Sequence, residues 1–397
     1  MHRTIALVLA ATMLTACGDK ASPPIPDPSG PAPEATIAPS STTEALTTVP
    51  EASGLAWTRT DFVAQVGGSV LHVSDLLLTS EGILVAGFYG EGTGALVASA
   101  SIDTLDWEVS LVPGGQQTRD IVELPDGSLL LTGSAASGLA IVWRDSGAGW
   151  EPVGTDDLPR RDASLGWDLE VLDDGSVLLA TDSLANDPER DNPAVHRSTD
   201  RGDSWATVAI LPGLGALALA ELPDGTVLAA TEESAEHDDP ATAGQAWVYR
   251  STDGGVTWGD PVALPGANRV YSMTVMSDGS VWAGTGISGE ILRSDDGGRS
   301  WSPVTHVPST NMARPDGEAE VPATRVYSIL ELADGRILAG TGNQAGEIFV
   351  TSDGGNTWER TGSTGPNNVV WGLLQAPDGT IWAGTGSSRG DLLHGTG

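Results

Sequence analysis

Cysteine is almost absent from these 397 residues: Cys17 stands alone. An internal disulfide framework and a cysteine-built zinc site are both excluded. Positive charge is scarce too. Lysine occurs once, at Lys20, and 19 Lys and Arg face 53 Asp and Glu, a formal net charge of −34. Nucleic acid and anionic lipid headgroups both need basic side chains to neutralise phosphate, so neither is an expected partner. A basic partner or a cation remains compatible with so acidic a surface. The histidines His72, His196, His237, His306 and His394 are scattered, without metal-ligand spacing. No metal and no cofactor are expected. Helical i, i+3, i+4 periodicity is missing throughout.

What is present begins with a short basic start, Met1-His2-Arg3, and an apolar stretch from Ile5 to Leu14. That stretch is about half the ~20 residues of a spanning helix. Leu14-Thr15-Ala16-Cys17 follows, and it resembles the lipobox of bacterial lipoproteins. The resemblance implies a signal peptide over 1–16 and lipidation at Cys17. The chain would then be exported and held at the cell envelope only through that lipid, with Gly18 after the cysteine favouring the outer membrane. Residues 17–53 form a Pro/Ser/Thr-rich tether, whose prolines Pro23, Pro24, Pro26, Pro28, Pro31, Pro33, Pro39 and Pro50 favour extended backbone.

From Gly54 to Gly397 one unit repeats: an apolar run, an acidic residue with glycine, then a second apolar run. The turn pairs are Glu81-Gly82, Asp126-Gly127, Asp174-Gly175, Asp224-Gly225, Asp278-Gly279, Asp334-Gly335 and Asp378-Gly379. Asp-Gly between apolar runs is a hairpin signal, because glycine adopts positive φ at no steric cost. The spacing, about 44–56 residues, is that of propeller blades. The expected fold is all-β, a seven-bladed β-propeller.

A second series is independent of the first. Trp57, Trp107, Trp150, Trp205, Trp258, Trp301 and Trp358 follow at similar intervals. Four are preceded by near-identical turns, Ser198–Trp205, Ser251–Trp258, Ser294–Trp301 and Thr351–Trp358, and Asp145–Trp150 is a worn copy. These residues resemble the Asp-box, or bacterial-neuraminidase repeat, of sialidase-like propellers. The resemblance implies that the box joins the two outer strands of a blade, opposite the ligand side. Asp and Ser/Thr would satisfy turn N–H groups and Trp would pack between sheets. The acidic spacing does not supply the oxygen-ligand set of a calcium site. The last unit lacks a box and an outer strand, whereas Trp57-Thr58-Arg59-Thr60 matches Trp358-Glu359-Arg360-Thr361 at three of four positions. The N-terminal strand is therefore expected to complete the seventh blade and remove free edges.

Two motifs lack their structural setting. Gly284–Gly289 fits G-x-G-x-x-G without a following helix, and Gly386–Gly390 fits G-x-S-x-G without a strand–turn–helix elbow. Two places could carry a ligand. Long loops in blades three and four carry Asp187, Asp191, Asp238 and Asp239, either a solvated rim or a grip on a basic partner. Aligning inner strands on their turns also brings Asp75, Asp120 and Asp168 into one register, with Arg119, Trp167, Tyr271, Tyr327 and Trp371 one place earlier. Arg269 and Arg325 stand two residues before the tyrosines. This candidate ligand face suits a sugar, but alternation with Met273, Ile329 and Leu373 also allows inter-blade packing.

Sialidases use an arginine triad, a Tyr nucleophile and an F/Y-R-I-P segment, on six blades. That segment is missing here, so the resemblance implies the fold and not the catalytic residues. Seven-bladed xyloglucan-cleaving relatives place their acids between tandem propellers, and this chain has one. The expected function is a non-enzymatic binding or assembly module for an envelope protein or glycan. The alternative is a sialidase-like glycoside hydrolase using Arg119, Arg269, Arg325 and Tyr271 or Tyr327.

Overall fold

The computed structural model describes residues 54–67, 70–90, 92–158, 165–182, 194–211, 215–232, 244–286, 289–308, 325–342, 345–366, 368–387 and 389–397. All lie within one compact unit, Ala45–Gly397. Cys17, the signal segment and the tether fall outside these residues, as do Asp187, Asp191, Asp238 and Asp239.

Among the described residues, twenty-eight strands are arranged as antiparallel four-stranded blades. Four blades are separate sheets, and three are linked into a 12-stranded sheet through the single bridges His72↔Gly386 and Gly342↔Val369. The inner strands are Val70–Leu78, Gly115–Glu123, Gly166–Val171, Gly215–Glu221, Val270–Val275, Arg325–Glu331 and Asn368–Gln375. Each contacts the next and the last contacts the first, so the fold is a closed seven-bladed β-propeller. Among the described residues one short helix, Phe62–Val66, interrupts the β structure. It is too short to show helical periodicity, and Phe62 anchors it edge-on to Phe88 and Trp107, at 5.6 and 4.9 Å between ring centroids.

Ring closure follows the sequence expectation. Ala56–Arg59 pairs with the chain's last strand, Trp57 opposite Gly395 and Arg59 opposite Leu393. Trp57 is buried, and its Nε1 donates to Thr361 Oγ1 at 3.0 Å. A side chain at Gly362 or Gly395 would strike its ring.

Seven apolar clusters fill the wedges between blades, and each contains one tryptophan of the repeating series. The preceding turns are held by their own side chains. In Ser251–Trp258, Ser251 Oγ accepts from Gly255 N at 2.9 Å and donates to Asp253 Oδ1 at 2.8 Å. Asp253 accepts from Thr257 N at 2.8 Å and Thr257 Oγ1 at 2.6 Å. Gly255 takes a φ of 79°, and a Cβ there would lie 2.8 Å from Leu178 of the preceding blade. Only glycine lets the turn seat that closely. Arg201 occupies the place of Gly254 and carries a φ of 63°.

Arginines and glutamates staple blade to blade at this same end. Arg197 donates from Nε to Gly254 O and from Nη2 to Asp174, and Arg250 donates from Nε to Gly297 O. Glu123 accepts from the turn at Ser80, Glu221 from Asp173 N, and Glu331 from the turn at Ser277. The hairpin carboxylates are satisfied locally. Ser128 and Arg201 hydrogen bonds hold Asp126 down at about 2.

Candidate functional site

The opposite ends of the inner strands form the site. Every inner strand has a break in register at the same place, between Val73 and Asp75, Thr118 and Asp120, Gly166 and Asp168, Ala216 and Ala218, Val270 and Ser272, Val326 and Ser328, and Val370 and Gly372. The residues skipped are Ser74, Arg119, Trp167, Leu217, Tyr271, Tyr327 and Trp371. A β-bulge re-aims the extra side chain away from the regular pleat. All seven bulged residues, with Asp75, Asp120 and Asp168, line one cavity of about 110 Å³.

The bulge corrects the alternation expected from sequence. Met273, Ile329 and Leu373 pack in the inter-blade clusters, whereas Tyr271, Tyr327 and Trp371 line the cavity. A two-residue repeat cannot place both sets on one face once an extra residue intervenes. Tyr271 and Tyr327 lie 4.4 Å apart, Tyr327 and Trp371 4.7 Å, and His72 continues the arc between Trp371 and Tyr89.

Arg119 is set against two of these rings, its Cζ 4.4 Å from the Trp167 centroid and 5.3 Å from that of Trp371. Its Nη2 donates to Gln117 Oε1 at 3.4 Å, while buried Nε and Nη1 have no partner. Burial lowers its affinity for a proton. The other two arginines are engaged elsewhere. Arg269 is ion-paired with Glu232, and its Nη1 donates to the Tyr271 hydroxyl at 2.7 Å. Arg325 Nη1 donates to the Tyr327 hydroxyl at 3.4 Å. The three arginines therefore do not face one guest as a triad; Arg119 alone lines the cavity.

The three aspartates link neighbouring blades. Asp75 Oδ2 accepts from Ile121 N at 3.0 Å, Asp120 Oδ2 from Leu169 N at 2.7 Å, and Asp168 Oδ2 from Leu219 N at 2.5 Å. Asp120 is also hydrogen-bonded to both Asp75 and Asp168. Burial, with the charge of Asp120, raises Asp75 and Asp168 well above the usual carboxylate range. Burial raises Asp120 as well, against the hydrogen bonds that lower it.

Other residues at the mouth were not assigned to it from the sequence. Ser74 and Leu217 share the bulge register and could have been found by extending it to every blade. Asp182 accepts from Trp167 Nε1 and from Leu165 N, at 2.5 and 2.7 Å, and burial raises it to about 6. Burial, with the charge of Arg119, lowers His72 to about 4. Among the described residues no group of three or more His, Cys, Asp or Glu could hold a metal ion.

Comparison with known proteins places this geometry in context. A model of the two component regulator propeller family matches residues 364–387, within blade seven. A xyloglucanase from Paenibacillus sp is 25% identical over 260 residues, covering 54% of this chain. The chain spans only 23% of that relative's length. Virginiamycin B lyase from Staphylococcus aureus, solved with quinupristin, superimposes with a TM-score of 0.59 at 14% identity, covering 86% of this chain and 99% of that one. YCF48 bound to D1 peptide gives a TM-score of 0.56 at 15% identity, covering 88% and 99%. At such identities the structural likeness concerns fold, and it agrees with a β-propeller.

Proposed function

We propose that this chain is an exported, lipid-anchored propeller that works as a non-enzymatic binding or assembly module, with the channel mouth as its ligand face. The observation that carries the reading is the seven-fold bulge. Seven strands each spend a pairing position to turn one side chain inward, and the resulting ring leaves donors of a desolvated arginine unpartnered. Buried polar groups without partners are rare in structures at rest and gather where a ligand completes them. YCF48, of the same fold, has been solved with a peptide bound, which supports a binding role for such a scaffold. The sequence Leu14–Cys17 supports signal cleavage and lipidation at Cys17, residues 17–53 a tether, and Asp187, Asp191, Asp238 and Asp239 a second, acidic contact for a basic partner.

A carbohydrate-active enzyme is the second reading, favoured by the xyloglucanase relative. It stands lower because burial holds Tyr271 at about 12, opposite to a nucleophile's need. Each mouth aspartate is moreover tied to a backbone N–H of the next blade.

The test is a glycan-array, fluorogenic-glycoside and envelope-extract capture screen on the chain from Gly54. Saturable capture without turnover, lost in Arg119→Gln, is expected. Turnover abolished by mouth substitutions would overturn the binding reading in favour of the enzyme.

A further inference from the structure

The hydrogen-bonding capacity left open by the cavity-lining side chains is of one kind. Among the cavity-lining side chains, the buried polar atoms without a partner are Arg119 Nε, Arg119 Nη1 and Trp371 Nε1, and all are donors. The Tyr271 hydroxyl accepts from Arg269 and, held protonated, keeps its own O–H to give. The aspartate oxygens are occupied by backbone N–H groups and by one another. Trp167 Nε1 is taken by Asp182. A guest that brought donors would find few acceptors, and one that brought only acceptors would complete the site.

We infer that the mouth binds a carboxylate group of its ligand, received by Arg119 and Trp371 between the aromatic walls. This rests on the binding-module reading and specifies its ligand. Size agrees: about 110 Å³ is well below the roughly 300 Å³ of a small-molecule pocket, so one small group enters and the remainder stays above the ring. Charge agrees as well. Among the described residues Arg119 makes no ion pair within 4.0 Å, and burial raises all three neighbouring aspartates, which lessens the negative charge an anion meets. A monoanion is therefore matched by one cation, whereas a phosphate dianion brings a second charge that no further cation lining the cavity meets. Desolvation strengthens each charge-assisted bond relative to water.

The carboxylate could belong to a sugar acid or to a peptide terminus, and matched probes separate the two. Titration of the chain from Gly54 with D-glucuronate against its methyl ester tests the first. A short peptide with a carboxylate terminus against its C-terminal amide tests the second. Inorganic phosphate is the third probe. Tryptophan emission reports occupancy, because Trp167 and Trp371 flank Arg119.

In at least one pair the acid is expected to bind saturably and its neutral partner at least ten-fold more weakly. Trp371→Phe keeps a ring and removes the donor, and should weaken the acid about ten-fold. Arg119→Lys, which retains charge without the planar fork, should weaken it further. Circular dichroism verifies that each variant is folded. Equal binding of acid and neutral partner, phosphate binding as tightly as either acid, or no acid bound at millimolar concentration overturns the inference. A neutral glycan captured at the mouth and lost in Arg119→Gln would overturn it while leaving the binding module intact. Turnover of an acid sugar would do the reverse.

Discussion

The two ends of the same inner strands treat the same residue type in opposite ways. At the turn end, Asp126, Asp174, Asp224, Asp278 and Asp334 are largely exposed, accept hydrogen bonds from their own hairpins, and are held below the ordinary carboxylate range. At the mouth, six residues before the acidic turn residue of the first three blades, burial raises Asp75, Asp120 and Asp168 above it. Six residues of strand is about 20 Å. Over that distance the carboxylates change from groups satisfied by their own hairpins to buried members of a desolvated ring. One end is arranged for stability, and the other keeps polar groups in a state that costs stability.

Substitutions can break or sharpen this contrast. The largest expected effect is Trp57→Ala, which empties the wedge where the N-terminal strand closes the ring. Loss of a buried tryptophan should cost about 3–5 kcal/mol, read by chemical denaturation. A cost under about 1 kcal/mol would mean that the ring does not depend on this closure. Next comes Ser251→Ala, which leaves the buried Gly255 N–H without its acceptor. It should cost about 1–3 kcal/mol with ligand capture unchanged. Arg201→Gly relieves a positive φ that the other three turns assign to glycine. Its surface ion pair with Asp126 is worth little, so a gain of about 1 kcal/mol is expected, and a loss would show that the ion pair outweighs the backbone.

The smallest effect depends on pH. A carboxyl whose folded value is raised contributes its stability below the ordinary carboxylate range, near 4, and loses it as pH rises through the folded value. Asn reproduces the protonated form. Asp168→Asn should therefore match the wild type near pH 4 and become the more stable of the two as pH increases. Asp126 has the opposite sign: its contribution is present above about 4 and is lost as pH falls toward its folded value of about 2. Melting curves of Asp168→Asn and Asp126→Asn across pH 3–8 should approach the wild type at the acid end and depart from it in opposite directions toward neutral pH, Asp168→Asn above it and Asp126→Asn below.

The fold was legible in the sequence because its signals are local and repeated. Each Asp-Gly pair marks a hairpin that side chains and glycine φ impose by themselves. The match between Trp57–Thr60 and Trp358–Thr361 located the closure because both segments solve the same packing problem. The register that gathered Arg119, Trp167, Tyr271, Tyr327 and Trp371 was legible as well. Their direction was not. A bulge adds one residue without a fixed signature, and strict alternation sends the tyrosines into the wedges. Asp182 and Glu232 were not placed at the mouth from the sequence, because only the folded ring brings them beside Trp167 and Arg269.

The most direct test of the central claim is Arg119→Met, measured for both melting temperature and ligand capture. Methionine keeps apolar bulk between Trp167 and Trp371 and removes a desolvated charge that has no ion-pair partner. The account predicts a melting temperature equal to or above that of the wild type, with capture abolished. A marked fall in melting temperature with capture retained would make Arg119 a packing residue and the mouth one more inter-blade joint.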